Sequence, residues 1–366
     1  MNILVPNLGS TSLKFQLLSM PGEHEVLRGK LERVTDYPAA IASIGLGNHR
    51  VDAVAFKAVH AGPRYRGTFR IDDAVLAALE EFLPAAPAHN AIYLTGIRAF
   101  QQVMPEVPLV AAFETEFHRT MPEHAARYGV PASWHDELGI RRYGFHGASH
   151  QYVSEHIPRL IGRDRDLLRI VSCHLGGSSS MCAIHNGRSI DTTMGFSPQS
   201  GLENATRHGD LDVYAVLDAM QSRGLSIAEV TAELASNGGL AGLSGIPGGD
   251  VRDLEEAAGK GSATAELALA VFTYQVKKTI GAYAAVMGGV DVIAFTGGIG
   301  ENSARLRERC TSGLKFLGVR LDRERNFNGK GDRLVSSHDS EVAVAALATN
   351  EELIVARRAY ALLTAQ

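Results

Sequence analysis

The chain alternates short, β-branched apolar runs with longer stretches in which apolar residues recur at helical spacing. Runs at 3–5, 51–59, 109–113, 170–173 and 290–295 are apolar at successive positions, the pattern of strands covered on both faces. Between them, the stretch 263–287 sets its leucines, Val271, Val276 and Ile280 on one face and ends at Gly288-Gly289, a helix with its stop signal. A last helix is expected over 349–363, packing back onto the first domain. Strands alternating with helices predict α/β layers.

Two of these strands run into nearly the same phrase, Asn7-Leu8-Gly9-Ser10-Thr11-Ser12 and His174-Leu175-Gly176-Gly177-Ser178-Ser179. Glycine permits a tight turn, successive amides point into it, and Ser and Thr hydroxyls add donors, so such a turn gathers donors for an anion. A plain hairpin explains one such turn as well. A second echo weighs against coincidence: Val51-Asp52-Ala53-Val54-Ala55-Phe56 returns as Val290-Asp291-Val292-Ile293-Ala294-Phe295. The first pair of copies lies 167 residues apart and the second 239, so a duplication whose second half carries 72 extra residues accounts for both. Spacings of this size exclude a solenoid and predict two related domains, each with a phosphate cradle.

At 366 residues the chain exceeds what one core usually serves, which agrees with two domains. A formal charge of −4 without a Lys/Arg block gives no reason to expect nucleic acid or an acidic membrane as partner. No run approaches the roughly 18 apolar residues of a membrane span, and Met1-Asn2-Ile3-Leu4-Val5 carries no basic leader. Cys173, Cys182 and Cys310 form no CxxC motif, which fits a reducing compartment, so a cytoplasmic location is expected.

Candidate chemistry lies at strand ends. The strand ending at Phe295 leads into Thr296-Gly297-Gly298-Ile299-Gly300-Glu301-Asn302-Ser303, a glycine-rich strand-to-helix turn where a nucleotide can approach the backbone. Its spacing matches neither the dinucleotide fingerprint nor a Walker loop.

With this turn, several further phrases resemble the acetate kinase (acetokinase) family of the sugar-kinase, actin and heat-shock-chaperone ATPase superfamily. They are Asn7 through Ser12 with Leu13-Lys14-Phe15; Ala86-Pro87-Ala88-His89-Asn90; Tyr143-Gly144-Phe145-His146-Gly147-Ala148-Ser149-His150; Cys173-His174-Leu175-Gly176; Asp191-Thr192-Thr193-Met194-Gly195-Phe196; Thr206-Arg207; Arg252-Asp253-Leu254; and Thr349-Asn350-Glu351-Glu352-Leu353. They stand in family order from the first residues to the last helix.

The resemblance implies an α/β fold of duplicated actin-like (ribonuclease H-like) ATPase domains around a central cleft, divided as 1–117 plus 353–366 and 118–352. It implies reversible, Mg²⁺-dependent transfer of the ATP γ-phosphoryl group to acetate, with Mn²⁺ as a substitute metal, in a homodimer. By the same resemblance Glu114, His146 and Arg207 are catalytic, and Lys57, Val59, Ala88, Phe145 and Pro198 bind the short-chain carboxylate. The nucleotide is assigned to Lys14, to His174, Leu175, Gly176, Gly177 and Ser178, to Asp250, Val251 and Arg252, and to Gly298, Ile299, Gly300, Glu301 and Asn302. Asn7 and Glu351 are assigned to the metal. Elementary electrostatics agrees, since two anions are brought together and a charge-spread phosphoryl group needs fixed donors and cations around it.

Plainer readings stand beside these. His146 and His150, four apart, have the spacing of a zinc pair but no glutamate between them and no evident third ligand. Arg207, near His208, Asp210 and Asp212, reads on the residues alone as a surface ion-pair member. Lys14 lies on an alternating strand and reads as solvated. Thr349 is expected to form a capping box with Glu352, which leaves Glu351 without a structural duty and favours a metal role.

Four positions depart from the family. Lys57 replaces arginine, Glu114 replaces aspartate, Gly177 replaces asparagine and Ala88 replaces a larger leucine. The first two keep their charge but change geometry: lysine cannot grip a carboxylate with two bonds, and glutamate reaches farther by about 1.5 Å. The two are expected to compensate. The smaller Ala88 favours propionate or butyrate as an alternative acceptor, and a nucleotide-binding paralogue without chemistry is the alternative from a different functional class.

Overall fold

Two six-stranded mixed sheets frame the computed structural model, which describes residues 1–9 and 11–365; the side chains at 87–89 lie outside that description. In the first sheet the strands are β1 (Asn2–Gly9), β2 (Ser12–Ser19), β3 (His24–Glu32), β4 (Ala53–Ala58), β5 (Thr68–Arg70) and β6 (Leu109–Phe113), in the order β3-β2-β1-β4-β6-β5. In the second they are β7 (Arg169–His174), β8 (Ser180–His185), β9 (Arg188–Thr192), β10 (Val292–Thr296), β11 (Arg333–Leu334) and β12 (Ala343–Ala346), in the order β11-β12-β10-β7-β8-β9.

Read from β9, the second sheet repeats the first: three antiparallel strands, two parallel crossovers and an antiparallel edge. The duplicated phrases occupy matching places. β1 and β7 carry the first echo, β4 and β10 the second, and each later strand lies parallel beside the earlier one. The extra residues of the second half form helices between β9 and β10, among them Val213–Arg223, Ile227–Ser236, Val251–Gly259 and Ala263–Val286, where the first half has only Tyr37–Ala42.

Both faces of each sheet are covered, as the unbroken apolar runs require. Side chains alternate across a strand, so Ile3, Val5, Ala53, Ala55, Val110 and Ala112 meet Val355, Ala356 and Ala359 of helix Glu351–Thr364. Leu4, Val54, Phe56, Ala111 and Phe113 point the other way, towards helices Asp73–Glu81 and Pro87–Val103. In the second sheet Val171, Cys173, Ile293 and Phe295 pack on Ala263–Val286, while Ile170, Val292 and Ala294 meet Val153 and Ile157 of helix Gly147–Ile161. Burying each such large side chain contributes about 1.5–3 kcal/mol. Among the described residues no helix is long and apolar enough to cross a membrane.

The last helix does return to the first sheet, but it is capped differently from the sequence expectation. Asn350 is the N-cap, its Oδ1 accepting from the Leu353 amide at 3.0 Å, and the Thr349 hydroxyl is buried without a partner. Asparagine is at least as good a cap as threonine. The helix therefore starts one residue later, no capping box forms with Glu352, and Glu351 becomes its first residue. Farther along, Arg357 bonds Glu23 of the first half at 2.6 Å and Glu155 of helix Gly147–Ile161 at 2.5 Å. Arg358 donates to Gln151 and to the Phe113 carbonyl. One helix thus ties the two halves together.

Candidate active site

Two glycine loops of the second half are joined through their backbones. The Leu175 amide donates to the Thr296 carbonyl at 2.8 Å, and the Leu175 carbonyl accepts from the Ile299 and Gly300 amides at 2.8 and 3.0 Å. Gly297 has φ +76°, and a Cβ there would lie 2.6 Å from the Leu175 carbonyl oxygen, so only glycine permits this approach. From beneath, the fully buried Arg307 donates to the Gly300 and Glu301 carbonyls at 2.8 and 2.7 Å and to Asn326 at 2.8 and 2.9 Å. It satisfies carbonyls at the end of the short helix Gly297–Asn302 and fixes the loop.

Above these loops lies a cavity of about 680 Å³, where Gly176 and Gly177, Asp250, Val251 and Arg252, and Gly298, Ile299 and Asn302 converge. Three segments singled out in the sequence thus line one space. Leu175, Gly300 and Glu301 support it through backbone rather than lining it. Sequence reasoning missed Ala205, Gly248, Gly249 and Glu255, which complete the wall with Ser303, the last residue of the singled-out turn. The Pro247-Gly248-Gly249 turn directly before Asp250 was the signal available. Asp250 caps helix Val251–Gly259 and bonds the exposed Arg252 at 2.6 Å, an ion pair that holds the Asp250 carboxyl below the usual range.

Away from these loops, His146 sits in the left-handed region, φ 58° and ψ 30°, directly before helix Gly147–Ile161. Gly147 allows the contact that sets it there, for a Cβ would stand 2.0 Å from the Glu114 carbonyl oxygen. The His146 ring stacks on His174 with centroids 4.2 Å apart, and its Nδ1 lies 2.8 Å from Ser180 Oγ. Ser180 also meets His150 Nε2 at 2.9 Å, and His150 Nδ1 meets Ser172 Oγ at 2.8 Å. His174 Nδ1 is held by Ser149 at 2.7 Å. With both its ring nitrogens engaged, His150 is not a zinc ligand, and among the described residues no group of three His, Cys, Asp or Glu side chains is assembled for a metal. Burial, and then the neighbouring histidines, push the pKa values of His146 and His150 well below the ordinary value, so both rings are neutral at pH 7.

Arg207 is half-buried, not a surface residue. It donates to Ser178 Oγ at 3.1 Å and to the Pro198 carbonyl at 3.3 Å, joining the loop after β7 to the segment at Pro198. Burial lowers its pKa, but from a starting value so high that the guanidinium stays charged.

Lys57 on β4 reaches Glu351, Nζ to Oε2, at 2.5 Å. Burial opposes the lysine's charge, but the Glu351 and Glu114 carboxylates outweigh it and hold its pKa well above normal. Burial likewise opposes ionisation of Glu351, and Lys57, helped by His174, brings its pKa below normal. Burial pushes Glu114 up to about 7, with Lys57 opposing and Glu351 adding to the rise. Neither Glu114 carboxylate oxygen has a hydrogen-bond partner; the Ala148 amide favours its charge without reaching bonding geometry. Glu351 therefore does have a partner within the protein, contrary to the sequence expectation.

Asn7 faces Lys14 across the β1–β2 hairpin, and its Nδ2 meets Glu352, not Glu351, at 3.5 Å. Lys14 is exposed and lines a second cavity of about 660 Å³ with Arg28, Lys30, Asn350 and Glu352, apart from the glycine-lined one. Val59 and Phe145 share a buried apolar cluster with Ala86, Tyr143, Met194 and Phe196. Pro198 is also buried, and the Ala88 side chain falls outside the described set. His60 packs against Tyr143 and Phe82, and burial lowers its pKa to about 3. Ala86, Tyr143 and Met194 lay inside phrases singled out in the sequence but were not assigned to the pocket.

Comparison with known proteins bears on this geometry. The profile of the Acetokinase family matches residues 41–357. An acetate kinase of Coprothermobacter proteolyticus is 43% identical over 98% of each chain, and one of Halalkalibacterium halodurans is 42% identical over 96% of this chain and 97% of its own. Among solved structures, Porphyromonas gingivalis acetate kinase superposes with a TM-score of 0.89 at 34% identity, over 99% of this chain and all of that one. A propionate kinase from Francisella tularensis gives 0.90 at 32% identity over 98% of each.

Proposed function

Because this chain belongs to the acetokinase family of carboxyl-group phosphotransferases, we propose that it transfers the ATP γ-phosphoryl group reversibly to acetate, giving acetyl phosphate and ADP. The observation that carries this reading is the convergence of three glycine-bearing segments on one cavity whose wall continues, through Ser178 and Arg207, to His146 and the apolar Val59–Phe145 cluster.

In this reading the adenosine lies along Asp250, Val251 and Arg252, and the phosphates lie against the loops at Gly176 and Gly298. Arg207 and the neutral His146 donate to the equatorial oxygens of the transferred group, where charge is spread in the transition state. Lys57 and Glu114 face the acceptor carboxylate, and the apolar cluster receives its methyl group.

Asn7 and Glu351 would hold magnesium, or manganese in its place. The donor set fits a hard cation that keeps several waters and shares phosphate oxygens, since such an ion needs only one or two carboxylates. The unpartnered Glu114 oxygens add a second acidic group nearby. When bound, the metal neutralises charge on the β- and γ-phosphate oxygens. The reading further includes a cytoplasmic homodimer without nucleic-acid or membrane partners, and domains spanning 1–117 plus 353–366 and 118–352.

Trapping the acyl phosphate with hydroxylamine tests this directly, using ATP with acetate, propionate or butyrate. Hydroxamate from acetate at the highest kcat/KM supports the proposal. A higher value with propionate or butyrate shifts the assignment to a longer-chain kinase, and no hydroxamate from any acid overturns it.

A further inference from the structure

Helix Pro87–Val103 brings one further polar group to the Lys57 cluster. Its sheet-facing side is fixed at three levels: Asn90 Nδ2 donates to the His60 carbonyl at 2.7 Å, a Cβ at Gly96 would stand 2.3 Å from Leu8 Cδ1, and the Phe100 ring meets Phe56 edge-on with centroids 5.4 Å apart. Tyr93 lies three residues from both Asn90 and Gly96, hence on the same face, over the ends of β1 and β4. The Glu114 amide donates to the Ala58 carbonyl at 2.8 Å, so β6 ends beside them.

Tyr93 is only 4% exposed, its ring packed in the core of the first half. A buried tyrosine hydroxyl ordinarily finds a partner. This one bonds to no described residue and is not sealed from solvent, so it faces open space. Lys57, Glu114, Glu351 and Glu352 all lie near enough to act on it. Burial, ahead of those charges, pushes its pKa up to about 12, which keeps it a neutral donor at pH 7.

The cluster is short of such donors. Lys57 is a point charge already bonded to Glu351 at 2.5 Å, and the Glu114 carboxylate only accepts when ionised. An arriving carboxylate brings two oxygens, and a lysine does not match both as a guanidinium fork does.

We propose that Tyr93 binds the acceptor: its hydroxyl donates to one oxygen of the carboxylate while Lys57 holds the other, the two together standing in for one bidentate fork. This rests on the carboxylate-kinase reading above. The hydrogen bond is made to the carboxylate and not to the alkyl tail, so it serves acetate and longer acids alike.

Initial rates with the hydroxylamine trap test this in Tyr93→Phe, which keeps the ring and breaks no bond within the protein. KM for acetate should rise about tenfold while kcat and KM for ATP stay within about twofold. Propionate should show the same factor. In a Lys57→Arg background the effect of Tyr93→Phe should shrink to about threefold or less, because the fork then supplies both donors. Circular dichroism and the unfolding midpoint should match those of the wild type. An unchanged KM for acetate, a rise confined to propionate, a parallel rise in KM for ATP, or an equal effect in both backgrounds overturns the role of Tyr93 and leaves the kinase assignment standing. Wild-type protein that forms no hydroxamate from any acid overturns the kinase reading itself, and this inference with it.

Discussion

Lys57 Nζ lies 2.5 Å from Glu351 Oε2, a pairing of residues 294 positions apart, with the unpartnered carboxylate of Glu114 beside them. One lysine therefore serves two buried acids, which places the two family departures, Lys57 and Glu114, in a single charge cluster.

Removing the cation should leave that cluster uncompensated. Lys57→Met is expected to cost about 3–5 kcal/mol in denaturant unfolding of the metal-free protein. Restoring the family residues gives a sharper test: Lys57→Arg and Glu114→Asp should couple in kcat/KM by about 0.5–3 kcal/mol. Strict additivity of the two single changes would rule out compensation.

Ser180 links His146 Nδ1 to His150 Nε2. If Ser172 donates to His150 Nδ1, then His150 Nε2–H donates to Ser180 and Ser180 donates to His146 Nδ1, which leaves the His146 Nε2–H aimed outward. Ser180→Ala frees that tautomer, and kcat should fall roughly 10- to 100-fold with KM for ATP little changed. An unchanged kcat would show that the relay does not set the ring.

His118 is buried between Ser189 and the Phe145 carbonyl, and burial brings its pKa down to about 3. The unfolded chain, with a value near 6.5, takes up a proton that the folded protein refuses. The stability this gives is fully present above about 6.5 and is lost as pH falls towards 3. By pH 4 the loss reaches about 3 kcal/mol for this one histidine. His118→Asn should flatten the acid limb of a plot of unfolding free energy against pH, and an unaltered slope would contradict the assignment.

Arg307 satisfies the Gly300 and Glu301 carbonyls from below the Gly297–Asn302 turn. Arg307→Lys should lose most of these bonds, since an ammonium cannot span four acceptors in the same plane. We expect about 2–4 kcal/mol of lost stability and a KM for ATP raised by about tenfold. Differential scanning calorimetry with ATP titration of initial rates reads both.

Much of the architecture was legible in the chain. Five apolar runs became β1, β4, β6, β7 and β10, because a strand covered on both faces must be apolar at successive positions. The two echoed phrases took equivalent places in two sheets of the same topology. Less legible was the start of the last helix, since Thr349 and Asn350 are both competent caps and only the folded geometry selects the second. Arg207 read as a surface residue because a run of neighbouring charges says nothing about which loops close over it.

By itself, then, the sequence determined the duplicated α/β plan, its glycine turns and the strands that bear them, since periodicity and turn chemistry depend on near neighbours alone. Tertiary structure alone decided that Ala205 and Gly248 meet Gly176 and Gly298 in one wall, that Glu351 faces Lys57, and that Arg207 joins Ser178 to the Pro198 carbonyl. Those contacts join segments tens to hundreds of residues apart, and they exist only once the packed sheets have set how far apart the loops stand.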